Sequence, residues 1–290
     1  MLSIVPLFLS ACDPSPPTSP FSAQQVQRRD LGFAADAGAE LNWLPTLDGT
    51  WLHYSEVSTC VEIARSLEQI NSSLYLVEVS DRPHGGLSER WTLCEVSLTP
   101  VLGQRARVPD ALRESLSPLI NERGLRIGDE EKAEYLSGPI VELWGARFDE
   151  PVSEAFVTGE DDPRIFDSDD DGERAATLLV GDACEVQLVQ RRITQYQGLF
   201  STPVVFVGGA WSVTEQLILE ATQPLCETRY RLRSHPEGSR FIRRRVDGAG
   251  GALNLDKDGD GSISCEEVQG SLELLFQPRE VDDLSCNVTP

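Results

Sequence analysis

The chain is poor in basic residues and has no long apolar run. Its 290 residues include 25 basic and 47 acidic side chains, and the resulting net charge of −22 opposes binding to the phosphate backbone of nucleic acids. No apolar stretch reaches the roughly 18 residues that a membrane-spanning helix requires. A hydrophobic content of 40% nevertheless predicts a folded globular domain. We therefore expect no nucleic-acid partner, whereas the acidic balance suits calcium.

The residue patterns of common enzyme classes are also absent. The three histidines, His53, His84 and His235, show neither the His-x-x-x-His nor the Glu-x-x-His spacing of zinc sites. The sequence contains no Gly-x-Ser-x-Gly nucleophile elbow and no glycine-rich phosphate loop. Paired carboxylates could serve glycosidic chemistry, but the sequence singles out no pair among so many acids. We predict that the protein is not an enzyme.

The N-terminus carries a targeting pattern. About ten mostly apolar residues lead into Leu9-Ser10-Ala11-Cys12, which resembles the lipobox of bacterial lipoproteins. The resemblance implies a signal peptide at 1–11, lipid attachment at Cys12 and a membrane partner through that anchor. No Lys or Arg precedes the apolar run, which departs from the family pattern. A free cysteine behind an ordinary cleaved signal is the alternative.

Residues 12–42 have the composition of a tether. Proline is frequent in 13–20, which favours an extended polyproline II conformation over packing. The remainder up to residue 42 is rich in Ala, Gln, Gly and Asp. We expect this segment to hold a folded domain away from a membrane, so we predict a cell-envelope location, on the periplasmic face or the cell surface.

Cysteine usage agrees with an oxidising compartment. The chain has seven cysteines, and setting Cys12 aside for the lipid leaves an even number. The disulfide candidates are Cys60, Cys94, Cys184, Cys226, Cys265 and Cys286. The sequence leaves their connectivity open, and the simplest scheme joins neighbours along the chain: Cys60–Cys94, Cys184–Cys226 and Cys265–Cys286. Each bridge would stabilise the fold by about 3–4 kcal/mol; buried free thiols are the alternative.

Most apolar segments are short and typical of strands. In 228–233, Tyr230 and Leu232 alternate with three arginines. The strand-like segments are 51–57, 74–79, 91–101, 140–148, 177–180, 186–193, 204–207, 216–221, 228–233 and 241–246. About ten strands separated by Gly and Pro predict a mainly β fold, an antiparallel sandwich or barrel with a few short helices.

The first predicted strand opens with Gly49-Thr50-Trp51, which resembles the Gly-x-Trp entry of lipocalin-like barrels. The resemblance covers three residues, and the Thr-Asp-x-x-Tyr turn of that family is absent. It implies a barrel that carries a small apolar ligand. A tryptophan in an ordinary strand is the alternative.

Helical patterns are few. Residues 109–116 begin with a proline suited to a first helical turn, and 130–136 form a second candidate. Residues 266–276 carry an apolar face made of Val268, Leu272, Leu275 and Phe276. We therefore expect a disulfide-stapled β domain over 43–247, followed at 248–290 by a calcium loop and a C-terminal helix.

Residues 256–267 resemble the calcium loop of an EF-hand. Calcium takes about six to eight oxygen ligands, and the twelve-residue spacing supplies them in order. The expected ligands are Asp256, Asp258, Asp260, Ser262, Ser264 and Glu267. Gly261 permits the sharp turn, Ile263 should point into the core, and Glu267 should close the site bidentately. Because 247–251 is too glycine-rich for an entering helix, the loop resembles dockerin-like loop–helix modules, and we predict structural rather than regulatory Ca²⁺.

A second acidic loop repeats half of this pattern. Asp167, Asp169 and Asp171 precede Gly172, but Leu178 stands at the closing position. The loop resembles the short Asp-x-Asp-x-Asp-Gly loops of secreted proteins, which implies a possible second calcium site. Upstream acids could complete it: Glu160, Asp161 and Asp162. A solvated acidic turn is the alternative. The surrounding segment 143–191 resembles uncharacterised bacterial lipoproteins, which implies no activity.

Seven arginines are concentrated between residues 229 and 245. They could form a face for acidic glycans or lipid headgroups, or simply pair with acids elsewhere. Together the patterns predict a calcium-binding, lipid-anchored envelope protein with a non-enzymatic structural or binding role. The alternatives are a lipocalin-like carrier of a small apolar ligand and an adhesin-like glycan binder. An open cavity in the β domain would favour the carrier; the sequence does not identify a protein, glycan or small-ligand partner.

Overall fold

The structure is a computed structural model of the chain. It describes residues 46–62, 65–127, 134–223, 226, 231–269, 276, 278–281 and 286. The predicted signal peptide, Cys12 and the tether lie outside these residues. All described residues belong to one compact unit, Ala34–Pro290. Within the described part of the chain, no helix is long and apolar enough to cross a lipid bilayer.

The described residues are mainly β, which confirms the predicted fold class. The strands are β1 (Gly49–Glu62), β2 (Ser66–Asp81), β3 (Gly86–Leu98), β4 (Ala106–Arg107), β5 (Leu119–Ile127), β6 (Glu134–Leu136), β7 (Ile140–Trp144), β8 (Ala176–Val180), β9 (Cys184–Thr202), β10 (Val205–Ala221), β11 (Arg231–Ser234) and β12 (Arg240–Arg245). The helices are α1 (Asp110–Ser115) and α2 (Cys265–Gln269).

The antiparallel sheet closes on itself as a barrel. Its ring runs β12-β1-β2-β3-β5-β6-β9-β10, and it closes because β10 pairs with β9 on one side and β12 on the other. Strand β11 pairs with the end of β1, while β7 and β8 pair with β9 beyond β6. Closure leaves a side-chain interior and an outer face, and different parts of the chain cover that outer face.

Three sequence predictions of secondary structure need correction or restriction. The segments 204–207 and 216–221 belong to one 17-residue strand, β10. Gly208 of this strand pairs with Gly198 of β9, and a Cβ at either position would meet backbone atoms of the other strand. The helix predicted over 130–136 is wrong at residues 134–136, which form β6. The last predicted helix is confirmed only as α2, since 270–275 lie outside the described residues.

A buried ion pair occupies one half of the barrel interior. Arg243 is 1% exposed and donates from Nη1 to Glu89 Oε1 at 2.6 Å and from Nη2 to the Tyr135 hydroxyl at 2.8 Å. Its guanidinium lies 4.6 Å from the ring centroid of Trp91. Removing one partner of such a pair leaves an uncompensated charge and costs about 3–5 kcal/mol. The pair therefore links β12, β3 and β6 across the interior.

Two segments without much regular structure cover the outside of the barrel. The β7–β8 excursion, residues 145–175, packs Val157, Ile165 and Ala175 against Val189 of β9. The C-terminal layer, the described residues from 246 to 286, packs its apolar side chains on strands β1 to β3. That contact contains Leu52, Leu74, Leu76, Val246, Leu255, Val268 and Phe276. The β7–β8 excursion and the C-terminal layer each contain one of the two acidic loops.

The six predicted disulfide cysteines form three pairs, but two of the simplest pairings are wrong. The bonds are Cys60–Cys286, Cys94–Cys265 and Cys184–Cys226, with Cα–Cα distances of 5.6, 5.1 and 6.4 Å. Cys60 and Cys94 lie on strands that β2 separates, so they do not pair with each other. The C-terminal layer reaches both strands instead, and two bonds fasten it to the barrel.

We predict that His53 makes the fold acid-sensitive. Burial, and secondarily the charge of Arg243, hold the pKa of His53 well below its ordinary value of 6.5. Below about pH 6.5 the unfolded chain binds a proton that the folded chain does not, so stability should fall by up to about 1.4 kcal/mol per pH unit as the pH drops towards the folded pKa. The free energy of unfolding can be measured by denaturant titration at several pH values between 7 and 5. Its decrease per pH unit should be smaller in His53→Gln than in the wild type, by up to the amount given above. Phe241→Leu removes packing nearby but no titrating group, and it should keep the wild-type slope. Equal slopes for wild type and His53→Gln would contradict the prediction.

Candidate metal sites and the barrel cavity

The loop 256–267 follows β12 in the C-terminal layer, and its last three residues form the start of α2. Leu255 before it and Val268 at its end are both buried against the barrel. Ile263 is half-buried and packs on the same cluster, as predicted. Cys265 bonds to Cys94 of β3. Both ends of the loop are therefore anchored, while its aspartates remain at the surface.

Backbone hydrogen bonds orient the first half of this loop. Asp256 accepts the N–H groups of Gly259 at 2.7 Å and Gly261 at 3.0 Å, and Asp260 Oδ1 accepts that of Ser262 at 2.8 Å. One oxygen of each of Asp256, Asp258 and Asp260 lies within 4.8 Å of one oxygen of the other two. Three acidic ligands at this spacing can coordinate one hard cation.

Glu267 reaches back across the loop from the start of α2. Its Oε1 accepts the N–H of Lys257 at 2.6 Å, and its Oε2 accepts that of Ser264 at 2.8 Å. The Ser264 and Lys257 N–H groups lower the pKa of Glu267 below its ordinary value, so the side chain is ionised near neutral pH. The predicted closing carboxylate thus faces the first turn of the loop. Two further predicted ligands contact these acids: the Ser262 hydroxyl donates to Asp260, and the Ser264 hydroxyl donates to Glu267.

The second acidic loop lies in the β7–β8 excursion and has the same backbone geometry. Asp167 Oδ2 accepts the N–H of Gly172 at 2.9 Å, as Asp256 accepts that of Gly261. Both glycines have φ of +88°. One oxygen of each of Asp167, Asp169 and Asp171 lies within 4.8 Å of one oxygen of the other two. The structure therefore brings this predicted set together as well.

The two acidic loops differ in burial. Asp169 is 6% exposed, and its Oδ2 accepts the Thr177 N–H at 3.0 Å. Burial, and then the charges of Asp171 and Asp167, raise the pKa of Asp169. Three upstream acids were predicted as possible completing ligands. Glu160 and Asp161 are exposed and do not belong to the cluster of three aspartates. Asp162 forms a salt bridge with Arg164.

A third group of potential metal ligands is already engaged in bonds within the protein. Cys60, His235 and Cys286 approach within 4.8 Å, but the two cysteines form a disulfide bond and offer no thiolate. His235 Nδ1 lies 2.9 Å from the Ser58 hydroxyl and 3.4 Å from Glu68. Arg279 of the C-terminal layer pairs with the same glutamate. This group therefore joins the C-terminal layer to the barrel.

The second half of the barrel interior contains a cavity that is partly open to solvent. The cavity has a volume of about 1010 Å³, including the part that is open to solvent. Inward-facing side chains such as Val57, Leu178, Leu188 and Ile218 make its wall mainly aliphatic, and Gln and Asn side chains add polar groups. A small ligand is the most that this space accommodates.

A buried arginine forms part of the cavity lining. Arg192 is 4% exposed, and its Nη2 donates to both oxygens of Glu142 at 2.5 and 2.6 Å. Its Nε and Nη1 have no hydrogen-bond partner among the described residues. Sequence reasoning missed both residues. The alternation of the two strands contains the signal. Glu142 is two residues from buried Ile140 on β7, and Arg192 is two residues from buried Thr194 on β9, so both charged side chains point to the interior.

Five of the seven arginines between residues 229 and 245 form salt bridges with four acids of the chain. The pairs are Arg231 and Arg233 with Glu62, Arg240 with Glu56, Arg243 with Glu89, and Arg245 with Asp247. Arg229 lies outside the described residues. These salt bridges offset part of the positive charge that an acidic glycan or a lipid headgroup would need on this part of the surface.

Comparison with known proteins yields no match: no family model, curated protein or solved structure is significantly similar to the chain.

Proposed function

We propose that the protein is a calcium-binding, lipid-anchored component of the cell envelope with a structural or binding role and no catalytic one. The observation that best supports calcium binding is the loop 256–267, where three aspartate oxygens converge within 4.8 Å and the Glu267 carboxylate reaches back towards them. These are oxygen ligands at the spacing that calcium loops use. The metal would supply positive charge at a fixed point.

Charge repulsion explains why an ion would stabilise this region. The loop carries five carboxylates and one lysine, and Lys257 Nζ donates to the Glu267 carbonyl oxygen at 2.7 Å, not to a carboxylate. A cation would offset the repulsion among Asp256, Asp258 and Asp260 and hold α2 in place. Val268 of α2 would then stay packed on the barrel. Calcium in this position acts as a brace for the C-terminal layer.

We predict Ca²⁺ binding at 256–267 with a Kd of about 10⁻⁵–10⁻³ M, towards the weak end because the loop is exposed and the described residues directly before it form no α-helix. Glu267→Gln should weaken binding at least about tenfold, since it removes the closing carboxylate. Saturating calcium should stabilise the wild type by RT ln(1 + [Ca]/Kd), about 2.7 kcal/mol at one hundred times Kd. Titration calorimetry and melting with and without chelator measure both effects.

Glu266→Gln is the matched control for this prediction. Glu266 is the exposed neighbour of Glu267 and stands at a position that calcium loops do not use. The control removes the same charge and should bind calcium nearly as well as the wild type. Equal binding by the Glu267→Gln variant, or no site at 256–267 at millimolar calcium, would refute the metal assignment.

The anchor is supported by Leu9-Ser10-Ala11-Cys12 and the proline-rich segment behind it. We predict that the mature chain begins at Cys12 and that its lipid carries it into the detergent phase on phase separation. Cys12→Ala should remain in the aqueous phase, because one substitution removes both the attachment atom and the processing site. If wild type and variant both stay in the aqueous phase, the chain is not lipid-anchored.

The cavity favours a second candidate function, the carriage of a small amphipathic ligand. Its aliphatic wall suits an apolar tail, and the two unpaired N–H-bearing atoms of Arg192 require acceptors. A buried donor without an acceptor costs about 1–3 kcal/mol, which a carboxylate or carbonyl group of a ligand could recover. An acid with a short alkyl chain combines both features.

We predict that octanoate binds in this cavity and that octylammonium, which has no acceptor for Arg192, binds at least about tenfold more weakly. Ile218→Trp should abolish octanoate binding by filling the cavity. The same substitution at Ile120, which is 57% exposed on β5, is the control and should leave binding unchanged. Calorimetry that shows no octanoate binding, or equal binding by Ile218→Trp, would remove the carrier function.

A further inference from the structure

The buried carboxylates of this fold follow a rule with one exception. Five carboxylate side chains are buried among the described residues, each at most 6% exposed. Four pair with an arginine: Glu56 with Arg240, Glu68 with Arg279, Glu89 with Arg243 and Glu142 with Arg192. The fifth, Asp169, has no salt bridge to an arginine or lysine among these residues. A buried carboxylate charge without an ionic partner is unfavourable, and a cation from outside the chain would compensate that of Asp169.

Buried oxygen atoms around Asp169 point to the same need. Asp167 Oδ1, Asp169 Oδ1 and Thr177 Oγ1 are buried and have no hydrogen-bond partner within the described part of the chain. Buried polar atoms are nearly always satisfied in folded proteins. Two of these oxygens belong to loop carboxylates that approach within 4.8 Å of each other, and the third belongs to Thr177 of β8, whose N–H donates to Asp169. A bound cation explains this grouping better than a solvated turn does.

We propose that Asp167, Asp169 and Asp171 bind a second calcium ion, in a site distinct from the loop 256–267. The three carboxylates supply hard oxygen ligands, which suit calcium better than zinc or copper. The backbone follows the calcium-loop path through Gly172. Because Leu178 replaces the closing glutamate, water and other oxygens must complete the shell. A bound ion would fasten the β7–β8 excursion, since Asp169 accepts the N–H of Thr177 in β8.

The test uses Asp169→Asn, which keeps the shape of the side chain and removes its charge. Calorimetry on wild type should give two calcium ions per chain, and one each on Asp169→Asn and on Glu267→Gln. The melting temperatures should cross: with calcium the wild type melts higher than Asp169→Asn, whereas in chelator it melts no higher, because its buried charge is then unpaired. If Asp169 had only a structural role, Asp169→Asn would lower the melting temperature equally with calcium and in chelator.

Asp170→Asn is the matched control. Asp170 is exposed in the same loop with φ of +56°, a conformation that Asn also adopts readily. It should retain two ions per chain. If wild type binds a single ion that Glu267→Gln alone abolishes, this inference is overturned and the calcium site proposed at 256–267 stands. A single ion that Asp169→Asn alone abolishes supports this site and refutes the other, and an Asp169→Asn variant with two ions refutes the present inference.

Discussion

The ion pair between Arg243 and Glu89 lies inside the barrel, where water cannot replace either partner. Arg243 lies on β12 and Glu89 on β3, two strands that are not neighbours in the sheet. Because either charge alone would be costly to bury, the two side chains must stay together, and they hold these strands in place. Tyr135 of β6 joins the same group through its hydroxyl, and the surrounding aromatic rings exclude solvent. Strand pairing sets distances along the sheet, and this group sets distances across the interior. Arg192 and Glu142 form a second buried ion pair, between opposite positions of the neighbouring strands β9 and β7 at the wall of the cavity.

The same requirement for charge compensation governs the outside of the barrel. Glu68 is buried beneath the C-terminal layer and depends on Arg279 from that layer. Glu56 pairs with Arg240 and accepts the backbone N–H of Arg279. The layer is therefore held by ion pairs and two disulfide bonds as well as by apolar contacts. Compensation by arginine extends to four buried carboxylates. For the fifth, Asp169 in the β7–β8 excursion, the calcium ion that we propose there would have the same role.

The sequence predicts features that depend on consecutive residues better than those that join distant ones. Alternation identified most strands, and the spacing of acids identified both loops, because each pattern is local. Closure of the sheet depends on β9 and β10 running as continuous strands past Gly198 and Gly208, which lie in gaps between the predicted strands. The connectivity of Cys60 and Cys94 depends on a C-terminal layer that returns to the first strands. The cavity and Arg192 required knowing which strands meet, which local patterns do not contain.

Both acidic loops lie in the parts of the fold that have the least regular structure. The C-terminal layer and the β7–β8 excursion contain few backbone ladders, so their own hydrogen bonds hold them weakly. An ion bridging several carboxylates can supply the missing constraint without a helix or strand. Extracellular calcium modules bind at about 10⁻⁴–10⁻³ M and are filled only where calcium is abundant, just as the three disulfide bonds persist only where the surroundings are oxidising. Both constraints would then act together outside the cytoplasm, and the outer layers would be fully braced only after export.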